Sequence, residues 1–548
     1  MKLHPFRGIS IVALAAGLLG GVSCIPMDYS LGSDYIATDQ QFDIFTAEFP
    51  LEDISLQVPD SLSGYSQTRI TVGAVRDDDF GLTRRGSAVT LVPIYDSLDF
   101  GKNAKFNYFH MVLVPDTISV LKDEDAFIHQ GLNIYELSEP IGDRYSIHSK
   151  LPHGTKRITQ GVPLYNGGTD TVGVFFTKEF GEKFMQITLD DTKDMESYTK
   201  KFPGIFIETD DPVGNGGRVN LFSLQLQYDV SNYHISGNYA SLGFSAEYDG
   251  TVKDTSFLFY FSPDKFYDVD SLIYNASSDL PQYCLNVATH ESGGLEGKVS
   301  EKILIEGAGG LCPVLSATEI REKVRLEIAK RGNPDEASIN RATITLPFEF
   351  PENYLEMQFY PQILSPTCRI VNDEGEVSFA GLTDSSNSSE NQGDVNRSLM
   401  VYSPDITYHT QTLLKLKDTD KIHNYDVWFL TMAYETVVSK TSAAEQNQMS
   451  DYMNMMLYSS YYGNMYGGYG GYGYGGYGYG GYGGYGNYYS NYYSYALMAS
   501  MYGSSSSSSS VVAMLDTDRY YHGILRGPAD PVARPMMRIT FALPKTAE

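Results

Sequence analysis

Short strand-like runs recur along the chain from Phe42 onward, several of them alternating apolar and polar residues. Ile54–Val58, Arg69–Val75, Ala88–Ile94, Asn107–Val114 and Leu132–Leu137 come first, followed by Gly204–Ile207, Leu221–Tyr228 and Ser256–Phe261. A period of two is the mark of a strand with one buried face, and clusters of Gly, Asp, Asn and Pro between the runs supply turns. A second set comprises Lys302–Ile305, Ala342–Pro347, Tyr425–Met432 and Met537–Leu543. Ala317–Lys330 breaks the pattern and predicts a helix: Ser316 is the N-cap, Glu319 completes a capping box, and Gly332 follows as a stop. The expectation is a mainly β protein of two β-sandwich, jelly-roll-like domains with one or two short helices. Residues 42–275 and 276–548 form the two units, with the boundary inside Asp268–Glu301.

The first residues do not belong to either unit. Lys2 and Arg7 precede an apolar run from Ile9 to Leu19, then Gly21-Val22-Ser23-Cys24. The apolar run is too short for the roughly 20 residues that span a bilayer, and its order of charge, apolar core and small residues is that of a secretory signal. A small residue before Cys24 predicts cleavage there and lipidation of Cys24, so that residues 1–24 are a lipoprotein signal and 25–41 a polar tether. The lipid is then the membrane anchor of an outer-membrane protein of a Gram-negative envelope, facing either the periplasm or the outside.

One segment matches no packed element. Residues 440–515 hold a low-complexity insertion in which Gly and Tyr nearly alternate, with Tyr466, Tyr469, Tyr472 and Tyr474 at its centre and a serine run from Ser504 to Ser510 after it. So much glycine costs too much backbone entropy to order, so a loop is expected. Its tyrosines offer flat amphipathic area for a protein or glycan partner, against the plainer reading of a tolerated surface expansion.

Composition agrees with sheet: 43 Tyr and 27 Phe accompany many β-branched residues. A net charge of −27, from 67 acidic and 40 basic residues, repels phosphate backbones and excludes nucleic acid as a partner. Of the 4 cysteines, Cys24 takes the lipid, leaving Cys284, Cys312 and Cys368. These allow one disulfide at most, and their spacing fits no zinc site.

A search for catalytic patterns returns none. His290-Glu291 lacks a second His four residues after the first. Gly307-Ala308-Gly309-Gly310-Leu311-Cys312 imitates a dinucleotide loop, but Cys312 stands where a third glycine belongs, so a tight turn is expected. Neither a nucleophile elbow nor a phosphate loop occurs. The acidic runs Asp77-Asp78-Asp79 and Glu208-Thr209-Asp210-Asp211 lack calcium-loop spacing and read as solvated turns. No catalytic residue, cofactor or metal site is predicted. A glycan-active enzyme with paired carboxylates is the remaining alternative, because such pairs leave no spacing in sequence.

Gly73-Ala74-Val75-Arg76-Asp77-Asp78-Asp79-Phe80-Gly81 resembles the signature of a family of Bacteroidota outer-membrane lipoproteins known only as a domain of unknown function. The family usually has Pro where this chain has Asp78. Asn133 to Leu137, Gly307 to Gly310, Ile339-Asn340-Arg341-Ala342, Gly527-Pro528 and Met537 to Phe541 resemble further family segments in the same order. The resemblance implies an outer-membrane lipoprotein of β-sandwich architecture without known catalytic residues, with Gly73, Asp77, Phe80 and Gly81 forming a structural turn. The function expected is that of a non-catalytic accessory subunit of an envelope complex, with an outer-membrane protein as partner. A carbohydrate-binding or adhesive lipoprotein is the second expectation.

Overall fold

Strands of alternating character pair wherever their apolar faces can be buried together, and here they do so across very different sequence distances. The computed structural model describes residues 41–545 except 67–68, 95–97, 143–145, 225, 230–233, 262–283, 292–293, 352, 373–374, 376, 387–390, 392 and 440–507. Cys24, the tether before residue 41 and Tyr466, Tyr469, Tyr472 and Tyr474 therefore lie outside the described residues. Within them the protein is mainly β, in several antiparallel sheets, as the alternation predicts.

The first core is enclosed by a ladder that folds back on itself at two corners. Lys102–Val120 pairs through its second half with Gly216–Ser223, and through its first half with Tyr239–Tyr248 and Val172–Phe175. The strand Gly81–Val89 likewise continues past Thr90 into Leu91–Pro93, which pairs with Phe259–Phe261 at the far end of the ladder. Strands that change sheets in this way close a sandwich without a separate connection. Inside, Phe109 is surrounded by Phe176, Phe180, Phe184 and Phe259 with ring centroids 4.9 to 6.0 Å away, tilted on all but Phe180, on which it stacks. Phe180 and Phe184 arrive on a short helix, Lys178–Phe184, capped by Thr177, and Tyr198 on another, Met195–Lys201, capped by Asp194. With Ala317–Ala329 and Thr407–Lys415 this makes four α-helices among the described residues, more than the one or two expected.

The second core draws on both ends of the chain. Phe42–Pro50 pairs along its length with Met536–Pro544, and Ile54–Gln57 pairs with Cys312–Leu315. Cys284–His290 runs the other way, pairing with Gly81–Val89 of the first core. Strand pairing therefore does not follow a division after residue 275: residues 42–57 join the later strands and 284–290 the earlier ones. An alternating strand reads the same whichever partner it has, so this exchange leaves no mark in local pattern. Ser508–Leu515, expected inside the low-complexity insertion, is also a strand; it pairs with Val427–Ser439, Met432 opposite Leu515 and Ser439 opposite Ser508.

The predicted helix forms, with one difference at its cap. Ser316 Oγ accepts from Glu319 N at 3.3 Å, and Gly332 N donates to Ile328 O. The Glu319 carboxylate, however, does not return to Ser316 N. It accepts from Glu52 N and Asp53 N, each at 2.8 Å, while Ser316 N donates to Asp53 O. The loop after Phe42–Pro50 has donors of its own to satisfy, and a carboxylate that takes two of them is worth more there than in the local box.

The helix Thr407–Lys415 is capped by Asp384, whose carboxylate accepts from Tyr408 N at 2.7 Å and His409 N at 3.1 Å. Burial pushes Asp384 up to about 6, assisted by the nearby Asp405. Burial also pushes His409 down to about 4, with its Nε2 2.9 Å from Tyr425 O. The raised acid favours the fold at low pH, a contribution lost as pH rises from 3.8 to about 6. The depressed imidazole favours the fold above 6.5, a contribution lost as pH falls toward 4. The two slopes oppose each other in one window. Urea titrations between pH 4 and 7 should therefore show stability rising more steeply with pH in Asp384→Asn than in the wild type, and less steeply in His409→Gln. Parallel profiles for all three proteins would contradict this.

Candidate functional site

The residues of the Gly73–Gly81 signature converge on one hairpin, each for a distinct physical reason. A Cβ on Gly73 would lie 2.2 Å from Arg218 O of the paired strand Gly216–Ser223. Asp77 Oδ1 accepts from Asp79 N at 2.7 Å and Phe80 N at 3.2 Å, which forms the turn between Arg69–Asp77 and Gly81–Val89. Gly81 has φ +79°, and a Cβ there would meet Glu291 O at 2.3 Å. Phe80 is buried, yet it packs in the second core and stacks on His522 at 5.4 Å. The hairpin belongs to the first sheet by pairing and to the second core by its tip.

Behind this turn lies a group of buried polar side chains between the two cores. Glu306 ends the strand Lys302–Glu306; His290 ends Cys284–His290; Thr83 and Arg85 stand on Gly81–Val89. Thr83 Oγ1 donates to Glu306 Oε1, and His290 Nδ1 lies 2.7 Å from the same oxygen. Arg85 is buried with only a 3.5 Å contact from Nη2 to Gly307 O, and Nε and Nη1 have no partner. Burial lowers Arg85 to about 10, so it is still a cation at neutral pH. Burial alone would raise Glu306, but the His290 imidazole, the Thr83 hydroxyl and Arg85 together hold it below the usual carboxylate range.

The turn Gly307 to Gly310 wraps this carboxylate. Glu306 N donates to Leu311 O at 2.8 Å, Gly310 N to Gly307 O at 3.2 Å, and a Cβ on Gly310 would lie 2.6 Å from Glu306 Oε2. Glu306 leaves no room for a side chain at Gly310, and Gly309 has φ +77° and lies against Ile147 and His148, as expected of a tight turn between strands and not of a dinucleotide loop. A His–Glu pair beside an arginine has the composition of acid–base machinery, but His290 and Glu306 expose only 4% and 0% of their side chains. Substrate cannot reach them; the group acts as a joint between the cores. Cys284, Cys312 and Cys368 are buried thiols. Of the acidic turn before Pro212, Asp211 is held by a bidentate contact from Arg84 at 2.7 and 2.9 Å, which solvation alone did not predict.

The accessible candidate is a groove of about 690 Å3 beside the end of the strand Ser338–Pro347. Phe348 is buried beneath it, while Phe350, Leu399 and Val532 line it and remain exposed, Leu399 by 68% and Val532 by 77%. Arg526 and Arg534 border it; Arg526 is paired with Asp530 at 2.9 Å and Glu349 at 3.5 Å, and Arg534 is exposed. Exposed apolar residues gathered around a concavity are costly in water unless another surface covers them. No sequence signal marks this site, since its residues come from three separate segments. Among the described residues, no group of three or more His, Cys, Asp or Glu is arranged to hold a metal, and no helix is long and apolar enough to cross a membrane. No protein family, curated protein or solved structure matches the chain.

Proposed function

We propose that the protein is a non-catalytic outer-membrane lipoprotein, anchored through Cys24, that serves as an interaction subunit of an envelope assembly. The observation that carries this reading is the groove: Phe350, Leu399 and Val532 present an exposed apolar surface around a concavity, the form in which a partner's apolar anchor is received. The burial of His290, Glu306 and Arg85 supports a binding role, because the side chains best suited to acid–base chemistry hold the cores together. The signal sequence and the ordered resemblance to Bacteroidota lipoproteins support the compartment.

The test is a gentle detergent extraction of tagged full-length protein from outer membranes, with mass spectrometry of what co-purifies. A stoichiometric outer-membrane protein is expected with the wild type, reduced at least about tenfold by Leu399→Asp or Val532→Asp, since a charge in a desolvated contact costs several kcal/mol. Recovery of the lipoprotein alone, or a partner retained by both variants, would overturn the proposal.

A further inference from the structure

We infer that the outer face of the sheet containing Val172–Phe175, Lys102–Val120 and Tyr239–Tyr248 is a platform for a neutral saccharide chain. The alternation that sends Phe109, Met111 and Val174 into the first core sends Tyr108, His110 and Phe175 to the opposite face. Polar residues belong there, yet Tyr108 and Phe175 leave 41% and 51% of their surface in water.

These rings lie on glycines. Gly243 is opposite Tyr108 in the ladder, and a Cβ on it would come within 2.2 Å of the Tyr108 ring. Gly173 lies under His110, with a Cβ there 3.1 Å from Nε2, and His110 packs on Phe175 with centroids 4.4 Å apart. A side chain at either glycine would lift the ring above it. With glycine, Tyr108 lies across the neighbouring strand and turns its other face to solvent. Glycine weakens a strand interior, and close approach of a ring is what it permits in return. Phe175 stands opposite His110, and Tyr108 is two residues from His110 on the same strand, so the three rings share one face of the sheet.

The chemistry between and beside the rings selects the ligand. Tyr108 Oη and Ser241 Oγ are 3.4 Å apart, Asn107 Nδ2 donates to Ser245 Oγ at 2.8 Å, and Ser245 Oγ donates to Asp254 Oδ1. Aromatic faces interleaved with hydroxyl, amide and carboxylate groups suit a molecule that is itself amphipathic ring by ring. The C–H face of a pyranose meets the negative face of an aromatic ring, and its hydroxyls exchange hydrogen bonds at the edge. A protein partner would instead be met by a continuous apolar centre inside a polar rim. On this face Lys105 and Asp254 flank Ser245 and offset each other, and the net charge of −27 over the whole protein disfavours an anionic polymer.

The test uses full-length protein in detergent, with hexasaccharides of β-linked glucose and β-linked mannose as probes and polygalacturonate as the anionic control. The wild type should bind at least one neutral hexasaccharide and not polygalacturonate. Tyr108→Ala and Phe175→Ala should each weaken binding at least about tenfold. Gly243→Ala retains every ring but lifts Tyr108, and it should weaken binding several-fold with an unchanged melting profile. Absence of binding to both neutral probes, preference for polygalacturonate, or undiminished binding by Tyr108→Ala and Phe175→Ala would overturn the inference. Leu399→Asp should bind saccharide like the wild type, so failure at the groove and failure at the platform are separate results.

Discussion

Glu306→Ala should lose about 3–5 kcal/mol of folding stability at pH 7, the usual cost of removing one partner from a buried charge group. The carboxylate is inaccessible, and it is the acceptor for Thr83, lies 2.7 Å from His290 Nδ1 and is the counter-charge to Arg85. Without it the Arg85 guanidinium stays charged and buried, with Nε and Nη1 already unpartnered. Water entering the space vacated near Gly310 recovers part of the loss but not the charge compensation. Glu306→Gln keeps volume and the Thr83 contact, so it isolates the charge and should cost about half as much or more. Exchanging Arg85 and Glu306 together for Met should recover most of what Glu306→Ala loses, because well-packed apolar groups replace buried ions at little net cost. Urea denaturation with a double-mutant cycle measures these quantities; a cost below about 1 kcal/mol for Glu306→Ala would mean that the carboxylate does not compensate Arg85.

The same group of residues shows what local sequence can and cannot convey. The apolar runs Arg69–Val75 and Lys302–Ile305, the Ser316 cap and the Gly332 stop are local, and each was legible because its cause lies within a few residues. The diversion of Glu319 to Glu52 N was not, since the competing donors are 267 positions away in sequence. The pairing of Phe42–Pro50 with Met536–Pro544 was hidden for the same reason: the pleat specifies which face is buried, not which strand lies alongside. The helices Lys178–Phe184 and Met195–Lys201 were missed because two turns of chain carry too few periodic positions to stand out, and their caps, Thr177 and Asp194, are residue types equally common in turns. Gly173 and Gly243 carry no local signal of their place in the sheet. Only the ladder shows that each lies beneath an aromatic ring.

The motif Gly73, Asp77, Phe80 and Gly81 was legible as a turn, but not as the place where one sheet enters the other core. Phe80→Ala tests that role and should cost about 3–5 kcal/mol, the range for emptying a buried phenylalanine site whose walls relax only in part. The walls here are the second core and His522, itself packed on Phe359 at 4.7 Å and on Tyr520 at 5.4 Å. Phe80→Leu keeps most of the volume and should cost about 1 kcal/mol. The cavity has a second consequence. Burial holds His522 below its ordinary pKa against the opposing pull of Asp77, Glu306 and Asp79, so the native protein keeps it neutral while the unfolded chain protonates it below about 6.5. The wild type therefore loses this contribution as pH falls. In Phe80→Ala water reaches the ring, His522 can take its proton in the folded state, and the loss is smaller. The difference in stability between the two proteins should shrink from pH 8 to pH 5.5, and a difference that is constant across that range would show that Phe80 does not keep His522 dry.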